Sequence, residues 1–197
     1  LAAGTAAVKF ASDYEENLNK VDASFKDNAQ TVKDWAKTAT EQFGMSESAA
    51  LEATSLFGDM GTSMGLTTDI AADMSTGLAG LAGDLASFKN IGIDQAMTAL
   101  KGVFTGETES LKTLGVVMTE TNLKEFAKGL GLVYDEMSQA EKVTLRYKYV
   151  LANTKNAQGD YARTSDGTAN SMRTLKSSVE NLGAAFGQEL LPEITPV

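Results

Sequence analysis

The stretch SQAEKVTLRYKYVLANTKNAQGDYARTSDGTANSMRTLKSSVENLGAAFGQELLPEITP, residues 138–196, reads as two amphipathic helices around a polar elbow. Ser138 and Glu141 stand at capping-box spacing, the serine oxygen accepting an orphan N–H while the glutamate reaches back to the cap. Val143, Tyr147, Val150 and Leu151 follow at helical intervals. The elbow, residues 156–167, holds Asn, Gly, Asp, Ser and Thr, which favour turns and caps over helix interiors. Beyond it Met172, Leu175, Val179, Leu182, Phe186 and Leu190 recur at spacings of three and four, a heptad-like stripe. Pro192 and Pro196 are expected to stop that helix.

Upstream the same period persists. Phe10, Tyr14, Leu18, Val21, Phe25, Ala29, Val32 and Ala36 predict one long amphipathic helix ending near Gly44, with Trp35 as an anchor into the core. Ser46 can cap a second helix with Ala49, Ala53, Leu56, Phe57, Met60 and Met64 inward. Thr67 or Thr68 can cap a third, whose seam is Ile70, Met74, Leu78, Leu81, Leu85 and Phe88. Asp94 is expected to cap a short helix that Gly106 ends. Val116–Met118 and Leu132–Tyr134 break the 3.6 period. They allow one short β-ribbon flanking a helix over 122–128, capped by Asn122 and Glu125. The fold class expected is therefore mainly α, a multi-helix bundle of long amphipathic helices with room for that one ribbon. The division expected is an N-terminal amphipathic arm, residues 1–44, and a compact helical core domain, residues 45–197.

Composition narrows the chemistry. The chain of 197 residues has neither Cys nor His, so disulfides, thiolate or imidazole metal sites and Ser-His or Cys-His nucleophiles are excluded. Its only 2 prolines lie at the extreme C-terminus, which lets helices run through the rest. Net charge is -9. It is concentrated in residues 1–98, where 6 Lys+Arg meet 14 Asp+Glu. Such a surface repels phosphates and anionic lipid, which disfavours a nucleic-acid or membrane-surface role. The most apolar window, Leu66–Phe88, is interrupted by Asp69, Asp73 and Asp84, each costing roughly 2.5–3.5 kcal/mol on insertion, so it does not read as a spanning helix. No signal peptide is visible, and the opening at Leu suggests an excerpt of a longer polypeptide.

The order LRYKYVL, GDYARTSDGTAN, a basic helix and GQELLPEITP resembles the core domain of phage and prophage tail tape measure proteins. The matching positions are Arg146, Tyr147, Gly159, Asp160, Tyr161, Ala162, Arg163, Thr164, Ala169, Asn170, Arg173, Gly187, Leu191 and Pro192. A weaker match runs upstream through Ala99, Leu100, Phe104, Gly106, Leu111, Leu114, Gly115, Lys128, Gly129 and Leu130, and thins out before Gly44. The resemblance implies a virion structural protein that sets tail length and helps nucleate tail tip and tube assembly. It would be assembled in the bacterial host cytoplasm and lie inside the tail tube or tip. Implied partners are further copies of the chain (three in cyclic symmetry), tail tube, distal tail or baseplate hub proteins, and tail assembly chaperones. A helix advances about 1.5 Å per residue, so an extended helical chain converts residue number into length. This glycine-rich stretch reads as a folded end rather than the ruler itself. The family motif brings no catalytic residue and no cofactor, and we expect no enzyme activity.

Rival readings are a membrane-active or pore-forming module released from the tail to aid genome passage, with Leu66–Phe88 as its segment, and a wall hydrolase. Glu15/Glu16 and Asp69/Asp73 fall on polar helix sides and give no carboxylate pair for the latter. Asp160, Arg163, Asp166 and Arg173 are candidates for a charged knot between the last two helices, or for contacts from the two arginines to another subunit. The sets Gly58, Gly61, Gly65 and Gly77, Gly80, Gly83 suggest close helix packing, since each mid-helix glycine costs about 1 kcal/mol. The methionines between Met45 and Met118 read as core filler.

Overall fold

Phe25 decides how the chain first turns. Its fully buried ring lies against the bare backbone of Gly58, where an added Cβ would collide with it. The computed structural model describes residues 2–194, with side chains from residue 4 to residue 191. The single long helix expected at the N-terminus is two: α1 (Ala2–Phe25) and α2 (Ala29–Phe43), separated by a 3-10 turn at Lys26–Asn28. Lys26 takes φ 50° there. Periodicity runs through this break because Val21, Phe25, Ala29, Val32 and Ala36 all reach one core from both sides of the turn.

Gly44 ends α2 at φ 65°, in the left-handed region where a Cβ is penalised. Ser46 then caps α3 (Glu47–Ser63), accepting from the Ala49 N–H. The buried face of α3 is Ala50, Leu51, Ala53, Thr54, Phe57, Gly58 and Gly61; Leu56, expected inside, is exposed. Thr67 is the cap position of α4 (Thr68–Lys89). That helix is the centre of the fold. Met74, Leu78, Leu81 and Leu85 are buried as the stripe requires, but so are Ala71, Ala72, Ala79, Gly80, Ala82, Gly83 and Ala86 on its other sides. Small residues let neighbours approach all round. Phe43 lies against Gly80 and Gly83, and a Cβ on Gly83 would sit 2.9 Å from the Phe43 carbonyl oxygen. Ile70 and Phe88, the ends of the expected seam, are exposed.

α5 (Ile93–Leu100) begins after Gly92, so Asp94 lies in its first turn rather than at the cap. α6 (Gly102–Thr105) follows and ends at Gly106, φ 79°. A 3-10 turn, Ser110–Leu114, leads to α7 (Glu120–Gly129). The cap of α7 is Thr119, which accepts from the Asn122 N–H, and not Asn122 itself. The β-ribbon does not form: no strand occurs among the described residues. Val116 and Met118 alternate inward, while the Val117 carbonyl accepts from Tyr149 (2.9 Å) and from Asn122 Nδ2 (2.9 Å), which leaves no ladder to extend. The Leu132 N–H goes to Ala127 O at 2.9 Å, in the cap that closes α7 through Gly131 at φ 74°.

The capping box on α8 (Gln139–Asn153) is complete, with Ser138 N donating to Glu141 Oε2 at 2.7 Å. α9 (Asp160–Arg163) is the elbow's one helical turn, and α10 (Thr168–Ile194) is the last helix. α10 continues through Pro192 instead of stopping there, since a proline in the final turn forfeits one N–H bond without leaving a long helix to break. Pro196 lies outside the described residues. α10 packs along α1, and the buried apolar residues of α1 and α2 share one cluster with those of α3–α8, so the core runs unbroken across position 44. None of the helices among the described residues is long and apolar enough to cross a membrane.

Candidate functional site

The elbow residues Gly159, Asp160, Tyr161 and Thr164, with Asn170 and Arg173, gather around the C-terminal half of α4. Gly159 adopts φ 74°, which turns the chain out of the α8 tail and aims the first N–H groups of α9 at α4. Asp84 receives them: its carboxylate accepts from Gly159 N at 2.7 Å and Tyr161 N at 3.1 Å. An anion at a helix start, meeting N–H groups that no helical carbonyl satisfies, is a favourable local arrangement. Burial pushes the Asp84 carboxyl above the usual Asp range, and the Asp160 charge adds to this. The two N–H donors and Arg163 oppose it without winning.

A second layer lies one turn along α4. Ser87 donates to Asp160 Oδ2 (2.6 Å) and accepts from Asn170 Nδ2 (2.8 Å), which also reaches Thr164 Oγ1 (2.9 Å). Asn170 Oδ1 accepts from Arg173 Nη1 at 2.6 Å. The other guanidinium nitrogen of Arg173 donates to Ala86 O (3.2 Å) and Ile91 O (3.0 Å), covering carbonyls at the end of α4, where positive charge is favoured. Tyr161 is fully buried; its ring lies on Gly44 and its hydroxyl meets Thr174 and Asn170 O. Ser177 donates to Gly44 O at 2.9 Å, and Asn181 accepts from Glu47 N at 2.9 Å. The network thus ties α2, α3, α4, α9 and α10 together.

The expected charged knot takes another form. Arg163 spends its donors on the carbonyls of Gln158 (2.7 Å) and Asn156 (3.1 Å), closing the elbow on itself, and only brushes Asp160 at 3.5 Å. Asp166 is exposed and enters no ion pair among the described residues. The arginines chiefly cap backbone, which suits a flat guanidinium with five donors. Arg146 does the same on another side: buried in α8, it donates to Val103 O (3.1 Å) and Phe104 O (3.0 Å) at the end of α6. Tyr147 points to Gly77, where an added Cβ would collide with its hydroxyl. Burial, and then the Asp73 charge, raises its phenol above the ordinary tyrosine value. Tyr147 also lines an open groove of about 450 Å³ with Trp35, Phe43, Asp73 and Leu151. Leu191 and Pro192 sit near the far end of α10, roughly 27–33 Å along the helix from Asn170 and Arg173.

Sequence reading missed Asp84 and Ser87 as the receptors of the elbow. The available signal was an aspartate inside an otherwise apolar and small-residue run, since a lone charge there needs a partner. It also missed Gly183, and the packing role of Gly187, which it named only among the positions of the resemblance. With Ala7 and Ala11 they form a small-residue pair of stripes across which α10 and α1 come into close contact. A Cβ on Gly187 would collide with the Ala7 carbonyl, and one on Gly183 would lie 2.6 Å from the Phe10 ring.

The network is made of satisfied pairs. Among the described residues, Ser75 Oγ is the one buried side-chain polar atom without a partner, and no group of three or more acidic, His or Cys side chains is placed to hold a metal ion. What the arrangement does is clamp α10 to the body of the fold. No protein-family model, no curated protein and no solved structure matches the chain.

The elbow glycine can be tested directly. Gly159→Val should lower the melting temperature by several degrees, because a left-handed backbone costs an L-residue roughly 1–2 kcal/mol and a β-branched one more. Gly159→Asn should cost less, since Asn tolerates that region. Equal melting of the Val variant and the parent would refute the assignment.

Proposed function

We propose that the chain is a structural assembly module of a phage tail or phage-tail-like particle, belonging to a tape measure protein that sets tail length and helps nucleate the tail tip and tube. The observation that carries this reading is where the motif residues go. Gly159, Asp160, Tyr161, Thr164, Asn170 and Arg173 act on the fold itself, tying the elbow and the start of the 27-residue helix α10 to α4 through backbone and side-chain hydrogen bonds. A motif devoted to positioning a long helix suits a scaffold, whose output is geometry. On this reading the chain works in several copies inside the tail, most simply three, next to tube, distal tail or baseplate hub proteins and with assembly chaperones during growth.

The test is genetic and morphological. In the particle whose genome encodes the chain, trimming helical sequence next to this module should shorten tails by about 1.5 Å per residue removed. Disrupting the clamp with Asp84→Ala and Arg173→Ala together should abolish tails or leave them at irregular lengths. Tails of normal, uniform length in both cases, measured by electron microscopy, would overturn the proposal.

A further inference from the structure

Of the three narrow apolar stripes in the sequence, two are closed inside the chain and the third is not. The stripe of α1 and α2 and that of α4 end largely in the core. On α10 the outcome is reversed: Met172, Leu175, Val179, Leu182 and Phe186 are 59, 56, 57, 71 and 57 % exposed. The helix is held by its other side, through Ser177, Ala184 and Gly187, all of them buried. Its free face therefore presents a 3-4-3-4 row of large apolar side chains, fixed in place by the clamp behind it.

We propose that this face is a self-association seam, on which α10 of one copy of the chain pairs with α10 of a second copy. The argument for that occupant rests on shape, charge and area. A 3-4 row is convex and cannot enclose a small molecule; its complement is a helix bearing the same repeat, whose knobs enter its holes. Among the described residues, α10 is the only helix whose 3-4 stripe faces solvent over two heptads, from Met172 to Phe186, with Leu190 beyond it half-buried. The other exposed large apolar residues, such as Leu56, Val117 and Leu130, are scattered over separate elements. Like charge would oppose pairing of two chains of net charge -9, yet the exposed positions flanking the row are Ser171, Lys176, Ser178 and Ala185, none of them acidic. Two copies can thus meet there without setting acidic groups against each other, and the small residues among these flanks let the helices come close. The row exposes on the order of 500 Å² of apolar surface, the upper range for a patch on a monomer and a large part of the ~800 Å² per partner of a standard interface. Its length, about 21 Å from Met172 to Phe186, is two heptads. Such a seam is weak alone and gains from copies held side by side, since tethering raises the effective concentration. The inference deepens the multi-copy part of the tail reading, but its test needs only the purified protein, so failure here leaves the tail-length experiment to judge that reading separately.

The chain has no cysteine, so one introduced thiol is unique. Val179 is the middle residue of the row and faces its own counterpart whether the two helices run parallel or antiparallel. Val179→Cys should form a disulfide-linked pair under mild oxidation at least ten-fold faster than Leu132→Cys, an exposed site on a different element. Sedimentation of the parent protein should show concentration-dependent association that tightens as salt screens the like charge of the copies. Leu175→Glu with Leu182→Glu should weaken that association at least ten-fold while leaving helicity and melting unchanged, because both side chains are already in solvent. A parent chain that stays monomeric at high protein and salt, with both cysteine variants cross-linking at the same slow rate, would overturn the seam. Association that survives the double glutamate variant would overturn it as well, by placing the interface elsewhere.

Discussion

Gly187→Val is expected to lower the melting temperature by roughly 6–12 °C, the equivalent of about 3 kcal/mol in a chain of this size. The obstacle is backbone. A Cβ at position 187 runs into the Ala7 carbonyl and lies 2.9 Å from Ala11 Cβ, so no rotamer change on α1 can make room. α10 would have to lift off α1, and α1–α10 is the most extensive helix pair in the fold. Intrinsic propensity works the other way, since removing a mid-helix glycine ordinarily helps by about 0.5–1 kcal/mol. Gly129→Ala supplies the contrast: its site on α7 has nothing within 4 Å of an added Cβ, and that variant should melt at or slightly above the parent. Thermal melts followed by circular dichroism decide the matter. A Gly187→Val protein within about 2 °C of the parent would mean that the two helices do not meet as described.

Asp84→Ala is expected to cost roughly 3 kcal/mol or more, because two backbone N–H groups lose a charged acceptor and hydrogen bonds to charged groups contribute about 1.5–3 kcal/mol each. One of those groups, Tyr161 N, belongs to a fully buried residue that water cannot serve in compensation. Proteolysis should report the loss locally, with cleavage appearing in the elbow, residues 156–167, before the body of the fold. The pH dependence has a definite sign. Burial raises the folded-state pKa of Asp84 above its ordinary 3.8. Between those two values the folded chain holds more protons than the unfolded one, so stability falls as pH rises. The contribution from protonation is fully present below pH 3.8 and is lost as pH passes through the raised value. The stability gap between the parent and Asp84→Ala, from urea titrations over the acid range, should therefore narrow with rising pH. A gap that widens instead would show that the two N–H donors outweigh burial.

Much of the helical layout was legible because caps are local. Ser46, Ser138 with Glu141, Gly44 and Gly106 act on backbone groups within a few residues, and the structure places each where its spacing indicated. The misreadings share one cause. The turn at Lys26–Asn28 carries no glycine or proline and is imposed by Phe25 entering the space left by Gly58, more than thirty residues away. The runs Val116–Met118 and Leu132–Tyr134 have strand composition, but side chains from α7 and α8 take the Val117 carbonyl that a ladder would need. The elbow stood out by its residue types, whereas Asp84 and Ser87, which receive it, are 75 and 73 positions away in the chain from their partners Gly159 and Asp160.

The sequence by itself determined that the chain is helical, that it lacks cysteine and histidine chemistry, where most of its helices begin and end, and that its last helix carries a 3-4 apolar row. Only the tertiary structure decided which way each row faces. The α4 stripe and the α10 stripe have the same spacing, yet one is the centre of the core and the other is solvent-exposed. Periodicity describes a helix about its own axis and is indifferent to rotation about it. That rotation is set by long-range contacts, here Gly187 on Ala7, Ser177 on Gly44 and Arg173 on the end of α4, which bury the small and polar side of α10 and leave its large apolar side outward.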